Sequence, residues 1–421
     1  MTGKILKTIV TVVFFLNSLF LHAVVDVLKT VPLLPVYNLE ADSICFPAGG
    51  DTVTFNRFFQ KLDHLNHSGA GRVNILHIGG SHIQAGTLSN RIRQNFAAIF
   101  PTANRDMIFP FSAAKTNNPS NYTTTYTGDW TVARNIQHIP SYSLGLTGMC
   151  IGTADTAASI GIKRNDYSAS FSSVYVLGNN NSSLEPCLTV ADSVYNGVYD
   201  TIQQAFYFHL DCLADAFTLT FRSKPDAERR DFQLRGFWLD NTLPGISYVD
   251  IGVNGASVPA YLRCPLLEQD LALIQPDLCI LSIGINDASG REFDTVAFQN
   301  NYKKLIHRIH SVAPQCEILF TTNNDSYRRV NKRYYNNKNG LLAQQAFFSL
   351  ANYYHAGVWD LFGLMGGLGS MQQWEAYGLS RRDKIHFTPQ GYTLLGDLVY
   401  NALMRDYIKH SHSTVEQLYV E

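Results

Sequence analysis

The sequence predicts an α/β protein: a parallel sheet covered by helices on both faces, with an antiparallel β-sandwich inserted into it. Three observations carry this. Short apolar runs alternate with stretches of helical period near both ends of the chain, a central stretch changes to a period of two, and 421 residues at 46% hydrophobic content supply core for two or three units.

Taken in order, Lys4 and Lys7 precede an apolar run from Thr8 to Leu21, and the small Ala23 follows. That pattern reads as a signal peptide over residues 1–23, and hence a secreted or periplasmic protein. The run is shorter than the roughly 20 residues a membrane span needs, and no later segment is longer, so no span is expected after cleavage. Val73 to Ile78 is a strand ending in Gly79-Gly80; Leu88, Ile92, Phe96 and Ile99 then share one helical face before Pro101. The alternation returns with Tyr248 to Ile251, a helix to Ile274, Leu278 to Ile283, and Tyr302, Leu305, Ile306 and Ile309 at helical spacing. Ile318 to Thr322 and Val358-Trp359 are further strands, and a last helix runs from about Pro389 to Tyr407. Between them, Ser159 to Ile162, Ser173 to Leu177, Ala205 to Leu210, Phe217 to Phe221 and Phe232 to Leu239 read as short antiparallel strands. The expected division is 24–115 and 241–412 for the α/β domain, 116–240 for the inserted sandwich and 413–421 for a tail.

Composition excludes some partners. Thirty-three Lys and Arg against thirty-four Asp and Glu leave a net charge of −1 with no basic block, so no nucleic-acid partner is expected. Only 16% of residues are charged, against about 25% in ordinary soluble domains, so polar uncharged side chains cover the surface, as suits an exported, sugar-handling protein. The seven cysteines contain no Cys-x-x-Cys pair, so neither a zinc site nor a disulfide framework is indicated, although one or two bridges are compatible with export. Cys264 and Cys279 read as buried fillers.

In an open parallel sheet the residues just past each strand are where ligands bind. Four places qualify: His77-Ile78-Gly79-Gly80-Ser81-His82, Gly252-Val253-Asn254-Gly255-Ala256, Gly284-Ile285-Asn286-Asp287 and Asp383-Lys384-Ile385-His386. Each alone is weak, since glycine turns and Asp-x-x-His caps are common. Their chemistry is nonetheless coherent. A serine hydroxyl needs an imidazole to take its proton, and the imidazole needs a carboxylate to fix its tautomer. Ser81, His386 and Asp383 fit those roles, and a spacing of three makes Asp383 and His386 a local unit.

Together the four segments resemble the sequence blocks of the SGNH/GDSL hydrolase superfamily, and most closely its peptidoglycan O-acetylesterase-like members. The resemblance rests on Gly-x-Ser-His at Ser81, Gly-Val-Asn-Gly-Ala around Gly255, the sandwich between them, and Trp359-Asp360-Leu361 through Trp374 leading into Asp383. It implies a three-layer, flavodoxin-like SGNH fold and a catalytic triad of Ser81, Asp383 and His386. It also implies an oxyanion hole from the backbone N–H groups of Ser81 and Gly255 and the amide of Asn286, with no cofactor and no metal. The implied function is a serine acetylesterase acting on an acetylated polysaccharide, most closely peptidoglycan. The alternatives are xylan, a capsular glycan or sialic acid, acetyl transfer to another sugar, and a glycan-binding relative without activity. One departure stands out: Gly80 occupies the position before the nucleophile where the superfamily usually has Asp, which implies a looser turn.

Other residues have plainer readings. His77 is expected to be a satisfied core histidine, Asp287 and Asp360 to cap turns, and Asp250 to make a structural contact although it competes for the carboxylate role. His82 is divided between touching substrate and bonding within its own turn. His410 and His412 lack a third metal ligand, and Trp130 and Trp238 read as sandwich core rather than sugar platforms.

Overall fold

In the computed structural model, residues 27–49, 55–165, 170–225 and 228–418 are described. The expected signal peptide lies outside them, as do the last three residues of the expected tail.

A six-stranded sheet organises the α/β part. Its strands in chain order are β1 (Ile44–Cys45), β2 (Arg72–Gly79), β3 (Gly245–Gly252), β4 (Leu278–Ser282), β5 (Glu317–Thr321) and β6 (Gly357–Trp359). They lie in the order β1-β6-β5-β4-β2-β3, all parallel except β1, which runs antiparallel to β6. Without β1 this is a doubly wound order in which the chain steps from β2 to β3 on one side and to β4 on the other. A ligand site is expected where that reversal opens the strand ends, between β2 and β4. The antiparallel edge makes the sheet mixed rather than wholly parallel; a two-residue strand shows no periodicity from which sequence could read it.

The helices are α1 (Asn56–Ser68), α2 (Ser81–Gln84), α3 (Thr87–Ala97), α4 (Val258–Leu262), α5 (Leu267–Ile274), α6 (Thr295–Val312), α7 (Asn339–Tyr354), α8 (Leu361–Leu364), α9 (Ser370–Ala376) and α10 (Pro389–Leu418). Alternate side chains of β2 enter two cores, as strand geometry requires. Val73 and Ile75 pack with Phe58, Phe59, Ile92, Phe96 and Leu398 of α1, α3 and α10, whereas Leu76 and Ile78 join Tyr261, Leu271, Tyr302, Leu305 and Phe347 of α4 to α7. The second core continues without a break into the antiparallel region. Helix α10 runs on to Leu418, so the segment read as a tail begins as helix.

Between α3 and β3 the chain forms two antiparallel sheets of five and seven strands. Their faces meet through aromatic contacts, with Phe217 of one sheet edge-on to Phe171 and Phe237 of the other at 5.8 and 5.1 Å between ring centroids. Several strands go beyond those read from sequence, among them Tyr122–Thr127, Met149–Thr153 and Leu184–Val190. Antiparallel pairing also starts before residue 116. Asp106–Ile108 pairs with Phe237–Leu239, so the boundary placed at 116 cuts through the sandwich. Cysteines 150, 187, 264, 279 and 316 are buried as free thiols, and Cys45 and Cys212 are also unbridged. Among the described residues no helix is long and apolar enough to cross a membrane.

Candidate active site

Strand β2 ends at Gly79, and Gly80 turns the chain so that Ser81 is the first residue of α2. Burial of β2 on both faces fixes the height of this turn, and two bonds fix its direction. The buried Tyr261 hydroxyl donates to the Gly79 carbonyl at 2.9 Å, and the Gly80 carbonyl accepts from Ile83 and Gln84 at 3.1 and 3.0 Å. At the end of β3, Gly252 is required. A Cβ there would stand 2.3 Å from the Gln84 nitrogen and 2.8 Å from the Gly80 oxygen, so the turn that carries Ser81 rests directly on the neighbouring strand.

The imidazole arrives on a different element. Arg381 N–H donates to the His386 carbonyl at 2.8 Å and Thr388 N–H to that of Leu379 at 2.9 Å, closing a tight reversal that precedes α10. Lys384 at its tip has a positive φ of 58°, and Phe387 anchors the base against Trp374 and Tyr392. Asn324 holds the Ile385 carbonyl at 2.9 Å. Within this turn one Asp383 oxygen accepts the N–H groups of Ile385 and His386, both at 3.0 Å. The other accepts from His386 Nδ1 at 2.8 Å, leaving Nε2 to accept from the Ser81 hydroxyl, also at 2.8 Å. Partial burial alone would raise the Asp383 pKa; the His386 ring and the two backbone N–H bonds outweigh it and hold the carboxyl well below its usual range. Asp383 is therefore a carboxylate at any ordinary pH, and it fixes the His386 tautomer that presents a bare Nε2 to Ser81.

Further donors stand at the neighbouring strand ends. Ser81 N–H, at the start of α2, and Gly255 N–H have no partner among the described residues. Gly255 sits at φ +81°, a left-handed conformation that glycine adopts without strain. The Asn286 amide donates one hydrogen to the Ala256 carbonyl at 2.8 Å and lies against Gly80, 3.4 Å from where a Cβ would stand. Its second hydrogen remains available. An Asp in place of Gly80 would project toward this amide and toward the Ala256 and Val253 carbonyl oxygens. Tyr261 braces this turn through its bond to the Gly79 carbonyl, a contact no sequence pattern exposes because the two residues are distant in the chain.

The structure thus joins Ser81, His386 and Asp383 in one relay, with Gly255 and Asn286 at the adjoining strand ends. The other residues singled out by sequence go elsewhere. His77 is buried between Tyr248 and Ser282, with both ring nitrogens bonded at 2.6 Å. Burial lowers its pKa to about 4. His82 packs its ring 5.1 Å from that of His386 and bonds the Tyr392 hydroxyl at 2.8 Å. Burial first, and then His386, depress its pKa to about 3, so it is neutral. Asp250 pairs with Arg93 at 2.5 Å and accepts from Ser89 at 2.6 Å. Asp287 accepts from Val258 N–H at the start of α4, its pKa pushed up to about 6 by burial against that bond, and Asp360 caps α8. Trp238 is buried under Arg105. Among the described residues no group of three or more His, Cys, Asp or Glu side chains is placed to hold a metal.

Comparison with known proteins agrees with this architecture. The GDSL-like lipase/acylhydrolase family matches residues 213–394, the stretch that holds Gly255, Asn286, Asp383 and His386. Ser81 falls outside that match, on the far side of the sandwich. Among solved structures, a peptidoglycan O-acetylesterase superposes with a TM-score of 0.69 at 18% identity, over 87% of this chain and 99% of that one. An acetyl xylan esterase gives a TM-score of 0.31 at 18% identity over 37% and 81% of the two chains. A family two carbohydrate esterase from Cellvibrio japonicus gives 0.24 at 11% over 68% and 98%. No curated protein matches the sequence. The C-terminal part of the chain thus resembles the GDSL-like acylhydrolases in sequence, and most of the chain shares the fold of a peptidoglycan O-acetylesterase.

Proposed function

We propose that the protein removes O-acetyl groups from a cell-wall or extracellular polysaccharide, peptidoglycan before xylan or a capsular glycan, with Ser81, His386 and Asp383 as its catalytic triad. The carrying observation is the relay itself, Ser81 to His386 at 2.8 Å and His386 to Asp383 at 2.8 Å, with unpartnered N–H donors beside it. In this reading His386 takes the Ser81 proton as Oγ attacks the acetyl carbonyl, and the N–H groups of Ser81, Gly255 and Asn286 receive the oxyanion. The tetrahedral intermediate collapses to acetyl-Ser81, and His386 returns the proton to the departing sugar hydroxyl. Water, deprotonated by the same imidazole, then releases acetate and restores Ser81. The two α/β segments would form a three-layer hydrolase and the sandwich between them a carbohydrate-module-like insert, in a secreted or periplasmic protein.

Two features favour peptidoglycan. The fold likeness extends over nearly the whole of a peptidoglycan O-acetylesterase, sandwich included. Exposed Arg381 and Arg382 precede Asp383 with no carboxylate partner among the described residues, a rim suited to a polymer bearing carboxylates rather than to neutral xylan. The test is to treat the protein with a fluorophosphonate, locate the adduct by mass spectrometry, and compare acetate release from O-acetylated peptidoglycan and acetylated xylan. An adduct on Ser81 with faster release from peptidoglycan is expected. Labelling elsewhere, or a Ser81→Ala protein as active as the wild type on a chromogenic acetate ester, would remove the esterase mechanism. Binding of glycan without acetate release would leave a glycan-binding relative.

A further inference from the structure

The buried polar side chains outside the relay include Arg164, Asp270 and Gln84. Of these Gln84 touches the reacting region. It lies one helical turn after Ser81 and is only 4% exposed, yet every polar atom of its amide is engaged. Its Oε1 accepts the backbone N–H of Asn254 at 2.7 Å. Its Nε2 donates to Thr116 Oγ1 and Asn117 Oδ1, both at 3.0 Å. The Asn254 side chain donates to the same Asn117 oxygen at 2.8 Å.

The consequence follows from the neighbours of Gly255. On its carboxyl side, Ala256 N–H donates to the Val253 carbonyl at 2.9 Å, and the Ala256 carbonyl is held by Asn286. On its amino side the loop is held by the Gln84 bond to Asn254 N–H, reinforced through Asn117. A glycine at φ +81° has no side chain to limit its peptide planes, so these flanking anchors determine where its N–H points. One anchor stands on the nucleophile helix, and Gln84 in turn is held by two residues from the segment that enters the sandwich.

We propose that Gln84 is a positioning residue that ties the Gly255 N–H to the Ser81 helix, and that the sandwich segment Thr116-Asn117 completes this clamp. The insert then belongs to the catalytic framework and is more than an appended sugar-binding module. The proposal rests on the assignment of Ser81 and Gly255 made above. It is specific about chemistry: Asn117 acts only as an acceptor in these bonds, so Asp should replace it and Ala should not.

The test measures kcat and KM on a small chromogenic acetate ester, too short to reach the sandwich, with thermal unfolding to verify folding. Gln84→Met keeps length and removes the bonds. It should lower kcat by about 10- to 100-fold, less than the loss of a whole oxyanion donor, with KM nearly unchanged. Asn117→Ala should lower kcat less, and Asn117→Asp should restore it. Ser81→Ala is run alongside. If that variant keeps activity, the esterase assignment fails. If it is dead while Gln84→Met retains wild-type kcat, or changes KM alone, the clamp is wrong. Should Gln84→Met fail to fold, the Asn117 pair decides: Asp no better than Ala overturns the proposal, and recovery by Asp supports it.

Discussion

Among the described residues, two serine–imidazole pairs stand within 3 Å and share nearly the same geometry. At the strand ends Ser81 meets His386 at 2.8 Å; inside the sheet Ser282 meets His77 at 2.6 Å. What separates them is the second ring nitrogen and the surroundings. His386 Nδ1 faces a carboxylate that is held ionised, and about a third of its side chain is exposed. His77 Nδ1 faces the Tyr248 hydroxyl, and burial lowers its pKa to about 4. Asp250, whose charge opposes that shift without overcoming burial, is committed to Arg93 and Ser89. A buried imidazole without its own carboxylate gains nothing by accepting a proton, so a short Ser–His contact by itself is a core hydrogen bond. The carboxylate, the opening to solvent and the nearby N–H donors are what distinguish the first pair.

Exchanging the two pairs in experiment should sharpen this contrast. Ser81→Ala is expected to lower turnover of an acetate ester by at least about 10⁴-fold. Ser282→Ala should leave turnover of the folded protein intact and appear in unfolding experiments instead. It strips a partner from His77 and from Thr321, at about 1–3 kcal/mol for a buried group left unsatisfied. Equal rates for Ser81→Ala and wild type, or an inactive but folded Ser282→Ala protein, would break the comparison. Next, Asp383→Asn keeps the shape but offers the ring a donor where it needs an acceptor. A fall of about 10⁴-fold in kcat is expected, and a fall below tenfold would mean that His386 keeps its tautomer without the carboxylate. Asn286→Ala removes one oxyanion donor and should cost about 10²- to 10³-fold in kcat with little change in KM. A change confined to KM would make Asn286 a substrate contact instead.

How much of this could be read from sequence follows the same divide. Ser81, Asn286 and the Asp383–His386 turn stand in short segments whose chemistry is local, and a spacing of three is enough to make a carboxylate and an imidazole one unit. His77 was legible as core because it falls inside an apolar run. The supports were not legible. Tyr261 reaches Gly79, Gln84 reaches Asn254 and Asn117, and Tyr392 reaches His82 across gaps that only the folded chain closes. The strand Asp106–Ile108 escaped for a related reason: three residues show no alternation, and its partner lies far along the chain at Phe237–Leu239. The edge strand β1 and helices α1 and α7 passed unread as well. On α7 the exposed Leu341, Leu342 and Tyr353 stand beside the buried Ala346, Phe347 and Leu350, so its sequence carries little of the one-sided pattern by which helices are read.

The smallest effect concerns the buried pair and separates it from the exposed one by pH. His77 has a folded-state pKa of about 4 against an ordinary 6.5, so in the window between these values the unfolded chain binds a proton that the folded chain refuses. The stabilisation from keeping His77 neutral is complete above 6.5 and is lost as pH falls toward 4, below which both states are protonated and the dependence ends. Between pH 6.5 and 5 this amounts to up to about 2 kcal/mol, at about 1.4 kcal/mol per pH unit. His82, depressed to about 3, adds a similar slope, so the informative quantity is a difference between proteins. His77→Gln, whose amide can still meet Tyr248 and Ser282, should lose less stability than wild type between pH 7 and 5 in urea unfolding. Parallel pH curves would show that His77 titrates alike in both states, and burial could then no longer be the reason that this serine–imidazole pair is inert.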